Sequence, residues 1–340
     1  MRLNKKGFTL IEVLIVLIIL SLLSVLSTMA LSQMAKNYRL NRNVSILNYQ
    51  TGLALSQLKR LLMHRVKNSV IVDKCTLNDD GCDKGNVTSF KSIANLKENE
   101  TLEYPVIEWL NIDKRGFLGN WNNTKNQNIY GFSYFIDLAK TIGNSTTGHT
   151  IISPESDFSV ENDINNKLLK NLVLKNLFTE KKIVMLFAGS SGRGDISSID
   201  NSYGYFTNLT GSNNKTKIWQ INSYYVNNSP LYTQANISLL TPDGNTEPYE
   251  MYWLLNTAYA LVPKKNSNGL YDIYLRYFYY PWKDETYKDG QKALFLKNVS
   301  SFTFKMDELG VLHLYLCLSD PSIVLKNGKI LTVCKEGVIQ

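Results

Sequence analysis

The stretch KKGFTLIEVLIVLIILSLLSVL occupies residues 5–26 and determines how the rest of the chain must be organised. Between Phe8 and Leu31 the only charged side chain is that of Glu12. A helix of this length rises about 36 Å, which is enough to cross a hydrocarbon core of about 30 Å. The segment therefore predicts a membrane-spanning helix that carries a single acid.

Three interpretations of this segment differ in how they treat Glu12. A secretory signal peptide would need a shorter apolar run, although Ser27 to Ala30 could serve as its cleavage site. A plain membrane anchor explains the length but not the acid, because an ionisable group at membrane depth costs about 2.5–3.5 kcal/mol and usually has a partner. The basic flank, Arg2, Lys5 and Lys6, favours a cytoplasmic start and an exported remainder.

The third interpretation rests on residues 5–12, Lys-Lys-Gly-Phe-Thr-Leu-Ile-Glu. This run resembles the leader of type IV prepilins and type II secretion pseudopilins. The resemblance implies that a prepilin peptidase cuts between Gly7 and Phe8 and that Phe8 is then N-methylated. It also implies assembly with other pilin or pseudopilin subunits, on an assembly platform in the inner membrane and surrounded by inner-membrane lipid.

The same resemblance gives Glu12 a role in assembly. Cleavage makes Phe8 the first residue, with a free ammonium, and Glu12 the fifth. The Glu12 carboxylate of one subunit can then pair with the Phe8 ammonium of its neighbour, so that two charges that are each costly in lipid neutralise one another. The alternative is a stray carboxyl that stays protonated.

The apolar helix is predicted to continue outside the membrane to residue 66. One face repeats every three or four residues, through Leu40, Val44, Leu47, Thr51, Ala54, Leu58 and Leu61. We expect this face to lie beneath a sheet rather than in a coiled coil, because strands follow and the heptads are few. The predicted organisation is a leader, a transmembrane and filament-core helix, its amphipathic continuation and a head outside the cytoplasm, at residues 1–7, 8–31, 32–66 and 67–340.

The last third of the chain is predicted to be β-structure. Apolar and polar side chains alternate over 271–280 and again over 312–318, where Leu312, Leu314, Leu316 and Leu318 share one face. Residues 307–310, Asp-Glu-Leu-Gly, form a turn signal before this second strand. Residues 294–318 resemble the C-terminal sheet of larger minor pilins and J-type minor pseudopilins. The predicted fold class is α+β, a long N-terminal helix on a predominantly antiparallel sheet, with a further helix at 161–178.

Four cysteines form two close pairs, which suggests the disulfides Cys75–Cys82 and Cys317–Cys334. Two other connectivities, or free buried thiols, are the alternatives. A zinc site is disfavoured because neither pair has the spacing of a zinc knuckle. Disulfides indicate an oxidising compartment outside the cytoplasm.

Charge and motifs limit the chemistry of the head. The formal net charge of +8 favours DNA or an acidic surface as a partner, although loss of Arg2, Lys5 and Lys6 on cleavage weakens this argument. The three histidines, at positions 64, 149 and 313, belong to no catalytic or metal motif. Asp79, Asp80 and Asp83 suggest a calcium site, but their spacing does not match the EF-hand loop, so a solvated acidic turn is the preferred interpretation. We expect neither enzyme activity nor a cofactor.

These observations favour a minor subunit of a type IV filament machine in a bacterium. Such a subunit would initiate assembly or lie at the filament tip, in adhesion, motility or DNA uptake. The alternatives are a minor pseudopilin of a type II secretion system and a membrane-tethered adhesin or binding protein that does not polymerise. The expected location is the inner membrane, with a single pass and a periplasmic head, followed by a periplasmic or surface filament.

Overall fold

The computed structural model describes residues 9–74, 82, 90–122, 127–144, 148–169, 175–188, 203–205, 218–228, 233–240, 248–325 and 327–340. The helices are α1 (Leu10–Leu62), α2 (Lys114–Leu118) and α3 (Phe158–Leu168). The strands are β1 (Ile71–Asp73), β2 (Phe90–Ser92), β3 (Val106–Ile112), β4 (Asn120–Asn122), β5 (Gln127–Ile129), β6 (Ile142–Asn144), β7 (Gly148–Pro154), β8 (Val184–Phe187), β9 (Ile218–Asn228), β10 (Thr233–Leu240), β11 (Tyr252–Lys265), β12 (Tyr271–Tyr279), β13 (Gln291–Met306), β14 (Leu312–Val324) and β15 (Ile330–Ile339).

Helix α1 runs without interruption for 53 residues, but it ends at Leu62 rather than at the predicted residue 66. The helix ends there because the residues that follow Leu62 form backbone hydrogen bonds with β3. The Ile112 N–H donates to the His64 carbonyl at 2.8 Å, and the Val66 N–H donates to the Leu110 carbonyl at 2.9 Å. The Arg65 guanidinium also donates to the Leu62 carbonyl at 2.8 Å, which satisfies one of the carbonyls left open at the helix end.

One face of the last turns of α1 packs on the sheet. Its buried residues are Leu47, Thr51, Ala54, Leu58 and Leu62. This face contacts β14 and β15, so the preference for a sheet over a coiled coil is confirmed. The predicted stripe is confirmed from Leu47 to Leu58 but differs at its two ends. Val44 remains 38% exposed, and at the C-terminal end Leu62 is buried instead of Leu61.

The sheet has 13 strands in the described part of the chain, and every pairing between them is antiparallel. Ten of them follow one another in the order β15-β14-β13-β12-β11-β8-β9-β10-β7-β6. It branches at β11. Residues 252–255 of this strand pair with β8, whereas residues 255–261 pair with β3, which continues to β1 and β2. The architecture is thus a long apolar helix and a large antiparallel sheet, and the predicted α+β class is confirmed.

The C-terminal strands form a meander beneath α1. The four leucines of β14 at 312, 314, 316 and 318 are at most 4% exposed, as their alternation predicted. The preceding turn is held by Asp307, whose Oδ1 accepts the N–H groups of Leu309 and Val311, while Gly310 has a φ of 76° that favours glycine.

Strand β15 is tied to β14 covalently as well as by hydrogen bonds. Cys317 and Cys334 are register partners in the β14–β15 ladder, and a disulfide joins them. This is the pairing suggested by the spacing of the cysteines. Val333 and Lys335 lie on the β15 face that looks toward α1, where the Lys335 ammonium comes within 3.0 Å of the position of a Cβ on Gly52.

Removal of this disulfide is expected to destabilise the head. A Cys317→Ser/Cys334→Ser double variant should lose about 3 kcal/mol of unfolding free energy, because the closed loop no longer restricts the unfolded chain. Thermal melting followed by near-ultraviolet circular dichroism, with and without reductant, measures this loss. Reductant should lower the melting temperature of the native protein by more than that of the double variant, because only the native protein has the Cys317–Cys334 bond to lose.

Helix α3 is shorter and begins earlier than predicted. Asp157 caps its start by accepting the N–H groups of Ser159 and Val160. Lys175 lies beside the helix, where the Asn166 side chain bonds both its carbonyl and its N–H at 2.7 and 3.0 Å. The predicted helix over 161–178 was therefore wrong at residues 175–178, which are not helical because side-chain amides hold this segment against α3.

Candidate assembly site

The start of α1 is shaped by Thr9 and Glu12. The Thr9 N–H and hydroxyl both donate to Glu12 Oε2, at 3.0 and 3.1 Å, and the Glu12 N–H donates to Thr9 Oγ1 at 3.4 Å. This reciprocal pair is a capping box, which satisfies two N–H groups that the first helical turn leaves open. The carboxylate also lies at the positive end of the helix dipole, where a negative charge is stabilised.

The helix beyond Glu12 suits a hydrocarbon environment. Its most apolar 18-residue window has a mean hydropathy of 2.8, and none of that window is buried against the head. Three hydroxyls of the apolar segment are satisfied internally: Ser21, Ser24 and Thr28 donate to backbone carbonyls of the preceding turn at 2.7–3.0 Å. Polar groups that bond their own helix can enter lipid at low cost, so the charged residue of 9–31, Glu12, is the one that needs an external partner.

The head begins well above this apolar segment. The first residue of α1 that is buried by the head is Leu47. The helix therefore rises about 55 Å between Leu10 and Leu47, whereas a hydrocarbon core is only about 30 Å thick. Residues 32–39, which include the exposed Lys36 and Arg39, form a stalk between the apolar segment and the head, and Leu40 is partly buried against the core of the head.

Several of the predicted site residues fall outside the described part of the chain. These are Gly7, Phe8 and Cys75, together with the acidic triplet Asp79, Asp80 and Asp83 considered for calcium. Cys82 is described and is disulfide-bonded. Within the described ranges no group of three or more histidine, cysteine, aspartate or glutamate side chains is arranged to hold a metal ion.

Comparison with known proteins addresses the N-terminal segment. Residues 2–28 match the family model for the prokaryotic N-terminal methylation motif. The chain carries a type IV prepilin-like leader. Neither the curated proteins nor the solved structures include a significant match to the chain.

The prepilin-like leader has direct consequences for processing and assembly. It supports a subunit of the pilin or pseudopilin type, which is processed by a prepilin peptidase and assembles with other pilin subunits. The single apolar helix next to the leader fits the single-pass membrane anchor typical of prepilins. The described geometry adds that Glu12 is held at the first turn of that helix by Thr9.

The head contains a pair of buried acids that local sequence did not reveal. Asp73 on β1 and Glu108 on β3 are each 1% exposed. Burial raises the pKa of Asp73 to about 7, against smaller lowering effects from the Lys74 N–H and the Lys288 ammonium. Burial also raises the pKa of Glu108 to about 8, and the neighbouring Asp73 raises it further, whereas a hydrogen bond with Tyr279 opposes the rise. Both carboxyls therefore favour the protonated form.

These two acids should make the stability of the head fall as pH rises. In the unfolded chain they ionise near their ordinary pKa values of 3.8 and 4.5, but in the folded head they ionise only near 7 and 8. Stability is thus fully present below pH 4 and is lost progressively between pH 4 and pH 8. We expect a loss of several kcal/mol, up to about 6 kcal/mol, between pH 5 and pH 8, measured by urea unfolding.

The double variant Asp73→Asn/Glu108→Gln provides the check on this pH dependence. It keeps the shape of both side chains but removes their titration. The slope of stability against pH should flatten by most of the stated amount. The variant Glu308→Gln is a matched control, since Glu308 is exposed, and it should leave the slope nearly unchanged. A native protein with equal stability at pH 5 and pH 8 would contradict the assignment.

A further buried acid, on α3, helps to hold α2 against α3. Glu161 on α3 is fully buried, and burial together with the nearby Asp113 raises its pKa well above the ordinary range. The Asn165 amide donates to both acids, at 3.0 Å to Glu161 Oε1 and 2.8 Å to Asp113 Oδ2. Gly116 is required here, because a Cβ at this position would lie 1.4 Å from the Glu161 carboxylate.

Proposed function

We propose that the protein is a minor pilin that initiates a type IV filament or lies at its tip, in adhesion, motility or DNA uptake. The observation that carries the proposal is the size of the head relative to its attachment. Ten strands follow one another along the sheet, a path of about 43 Å at ~4.8 Å per strand. Leu47 is the first residue of α1 that is fully buried against this head.

A filament built from parallel helices gives each helix a diameter of about 10–12 Å. A head several times wider would collide with its neighbours if it were repeated along the shaft. At the end of a filament the head has no subunit above it. The geometry therefore supports a terminal position, with the head on the outer side of the inner membrane before assembly. We propose a structural role for the head rather than a catalytic one.

Localisation of the protein within native filaments tests this proposal. Gold-labelled antibodies against the head should mark one end of each filament, and the protein should be much rarer than the main subunit in sheared filaments. Regular labelling along the shaft would contradict the terminal position. Mass spectrometry of the mature protein should also find residues 1–7 removed and one methyl group on Phe8, whereas a start near Ser32 would contradict the whole assignment.

A second candidate is a minor pseudopilin of a type II secretion system. It is supported by the antiparallel meander β13–β15, since the sequence of β13 and β14 resembles the C-terminal sheet of J-type minor pseudopilins as well as that of larger minor pilins. Deletion of the protein separates the two candidates. Loss of surface filaments with normal enzyme secretion supports the pilin, and loss of secreted enzymes with normal surface filaments supports the pseudopilin.

The basic character of the chain supports a further element of the proposal, contact with DNA or another acidic surface. The formal net charge is +8. If the contact is with phosphates, the affinity of the full-length protein for duplex DNA should fall steeply as the salt concentration rises. Binding that is absent at both low and high salt would remove DNA from the proposed partners.

A further inference from the structure

A cavity in the head lies beside the C-terminal end of α1, far along the helix from the apolar segment that carries Glu12. It has a volume of about 710 Å³, within the size range of small-molecule sites. Its walls come from the last turn of α1, the end of β3, α2 and the strands β11, β12 and β13. Because these elements are distant in sequence, the cavity exists only in the folded head.

The floor of the cavity is aromatic and its backbone is irregular. Tyr259, Tyr277 and Phe278 line it, with the rings of Tyr277 and Phe278 5.0 Å apart. Phe278 is the extra residue of a β-bulge: Ala258 pairs with Tyr279 and Tyr259 with Tyr277. Its φ is 58°, a left-handed conformation that is costly for a bulky side chain. Strained bulges of this kind frequently direct a side chain into a functional site.

The rim of the cavity carries three cations that form no ion pair with the described residues. Arg60, Lys114 and Arg115 are exposed, and among the residues described none of them forms an ion pair. His64 lies between the rim and the end of α1. Its pKa is lowered, first by desolvation and then by the nearby Lys114 ammonium. The rim is therefore a positively charged surface that lacks a counter-charge from the part of the chain that the structure describes.

The single acid that lines the cavity cannot supply this counter-charge. Asp113 is 1% exposed and both of its oxygens are occupied. Oδ1 accepts the N–H groups of Arg115 and Gly116 at 2.9 and 3.1 Å. Oδ2 accepts the side-chain amides of Asn165 and Asn256 at 2.8 and 2.9 Å. Four donors hold this carboxylate inside the protein, so the cations of the rim remain available to a ligand.

We propose that this cavity binds a small anionic ligand, a flat ring that carries a phosphate or a carboxylate. The ring would lie on the aromatic floor, where stacking and burial of apolar surface stabilise it. The oxyanion would reach the rim, where arginine side chains bind phosphate and carboxylate through paired hydrogen bonds. This inference concerns the head alone and does not depend on the proposed position in a filament.

Binding to the full-length protein in detergent micelles tests the inference. Two anionic probes, adenosine 5′-monophosphate and benzoate, are compared with their neutral counterparts, adenosine and benzamide. At least one anionic probe should bind about tenfold more tightly than its counterpart, as a charge-assisted contact provides. Preference for the nucleotide identifies phosphate as the recognised group, and preference for benzoate identifies carboxylate. Equal affinities within both pairs, or no binding of either anion, would overturn the inference.

Variants then assign the binding to this cavity. The double variant Arg60→Ala/Arg115→Ala should weaken binding of the preferred anion about tenfold and leave the melting temperature unchanged, because both side chains are exposed and unpaired. Arg42→Ala removes an exposed arginine of the same helix outside the cavity and should bind like the native protein. Equal binding by all three proteins would place the ligand elsewhere and overturn the inference.

Discussion

Replacement of Glu12 by glutamine is expected to prevent assembly although the helix remains capped. A glutamine at this position can still accept from the Thr9 N–H, so the first turn of α1 is preserved. It cannot neutralise the ammonium of a neighbouring subunit, however. The loss of a charge pair at membrane depth is worth about 2.5–3.5 kcal/mol, which corresponds to a reduction of assembly by about 100-fold.

The comparison with Thr9→Ala separates the two roles that the structure leaves to Glu12. This variant removes the hydroxyl of the capping box but keeps the carboxylate, and it should weaken only the first turn, by about 1 kcal/mol. The measurement is the amount of protein in sheared filaments relative to the membrane fraction, with cleavage of the leader verified for each variant. Normal assembly of Glu12→Gln would show that Glu12 is only a helix cap and would favour a tethered protein that does not polymerise.

The second large effect is expected at the contact between α1 and the sheet. Leu58 is 0% exposed and belongs to the same core cluster as Trp109 and Leu314. Leu58→Ala should cost about 3–5 kcal/mol of unfolding free energy, because it removes buried methyl groups and leaves a cavity. Alanine favours the helix at least as well as leucine does, so the loss reports on the contact with the sheet rather than on the helix itself.

Leu53 provides the matched control for this experiment. It lies on the same helix but remains 45% exposed, and Leu53→Ala should change the unfolding free energy by no more than about 0.5 kcal/mol. Urea unfolding of both variants, followed by near-ultraviolet circular dichroism, measures the difference. Equal stabilities would mean that α1 does not contribute its Leu47–Leu62 face to the core of the head.

The elements that sequence predicted well are those with a regular period. The spine helix, the buried stripe around Thr51 to Leu58 and the leucine strand β14 each repeat an apolar side chain over many residues, so that local pattern and burial agree. The capping of α3 by Asp157 was also visible in the sequence, since an aspartate precedes the apolar-periodic run. The predicted helix nevertheless began at residue 161, after this cap, and extended to residue 178.

The features that sequence could not predict depend on contacts between distant segments. Asp73 and Glu108 are both buried because β1 pairs with β3, and neither has a local signal that distinguishes it from a surface acid. The cavity beside His64 needs α1, β3, α2 and three later strands to come together. The early end of α1 has the same origin, since hydrogen bonds from β3 to the residues after Leu62 stop the helix.

Because α1 packs on β14 and β15, the disulfide between Cys317 and Cys334 affects how the head resists a pulling force. A force that pulls on α1 reaches the sheet through β14 and β15, the strands with which α1 makes the most contact. Of these, β15 is the last strand in the sheet order and pairs only with β14 along that path. A terminal strand under load can peel away one hydrogen bond at a time, but a covalent cross-link forces all of them to share the load. The disulfide thus keeps β15 attached to β14 when α1 is pulled.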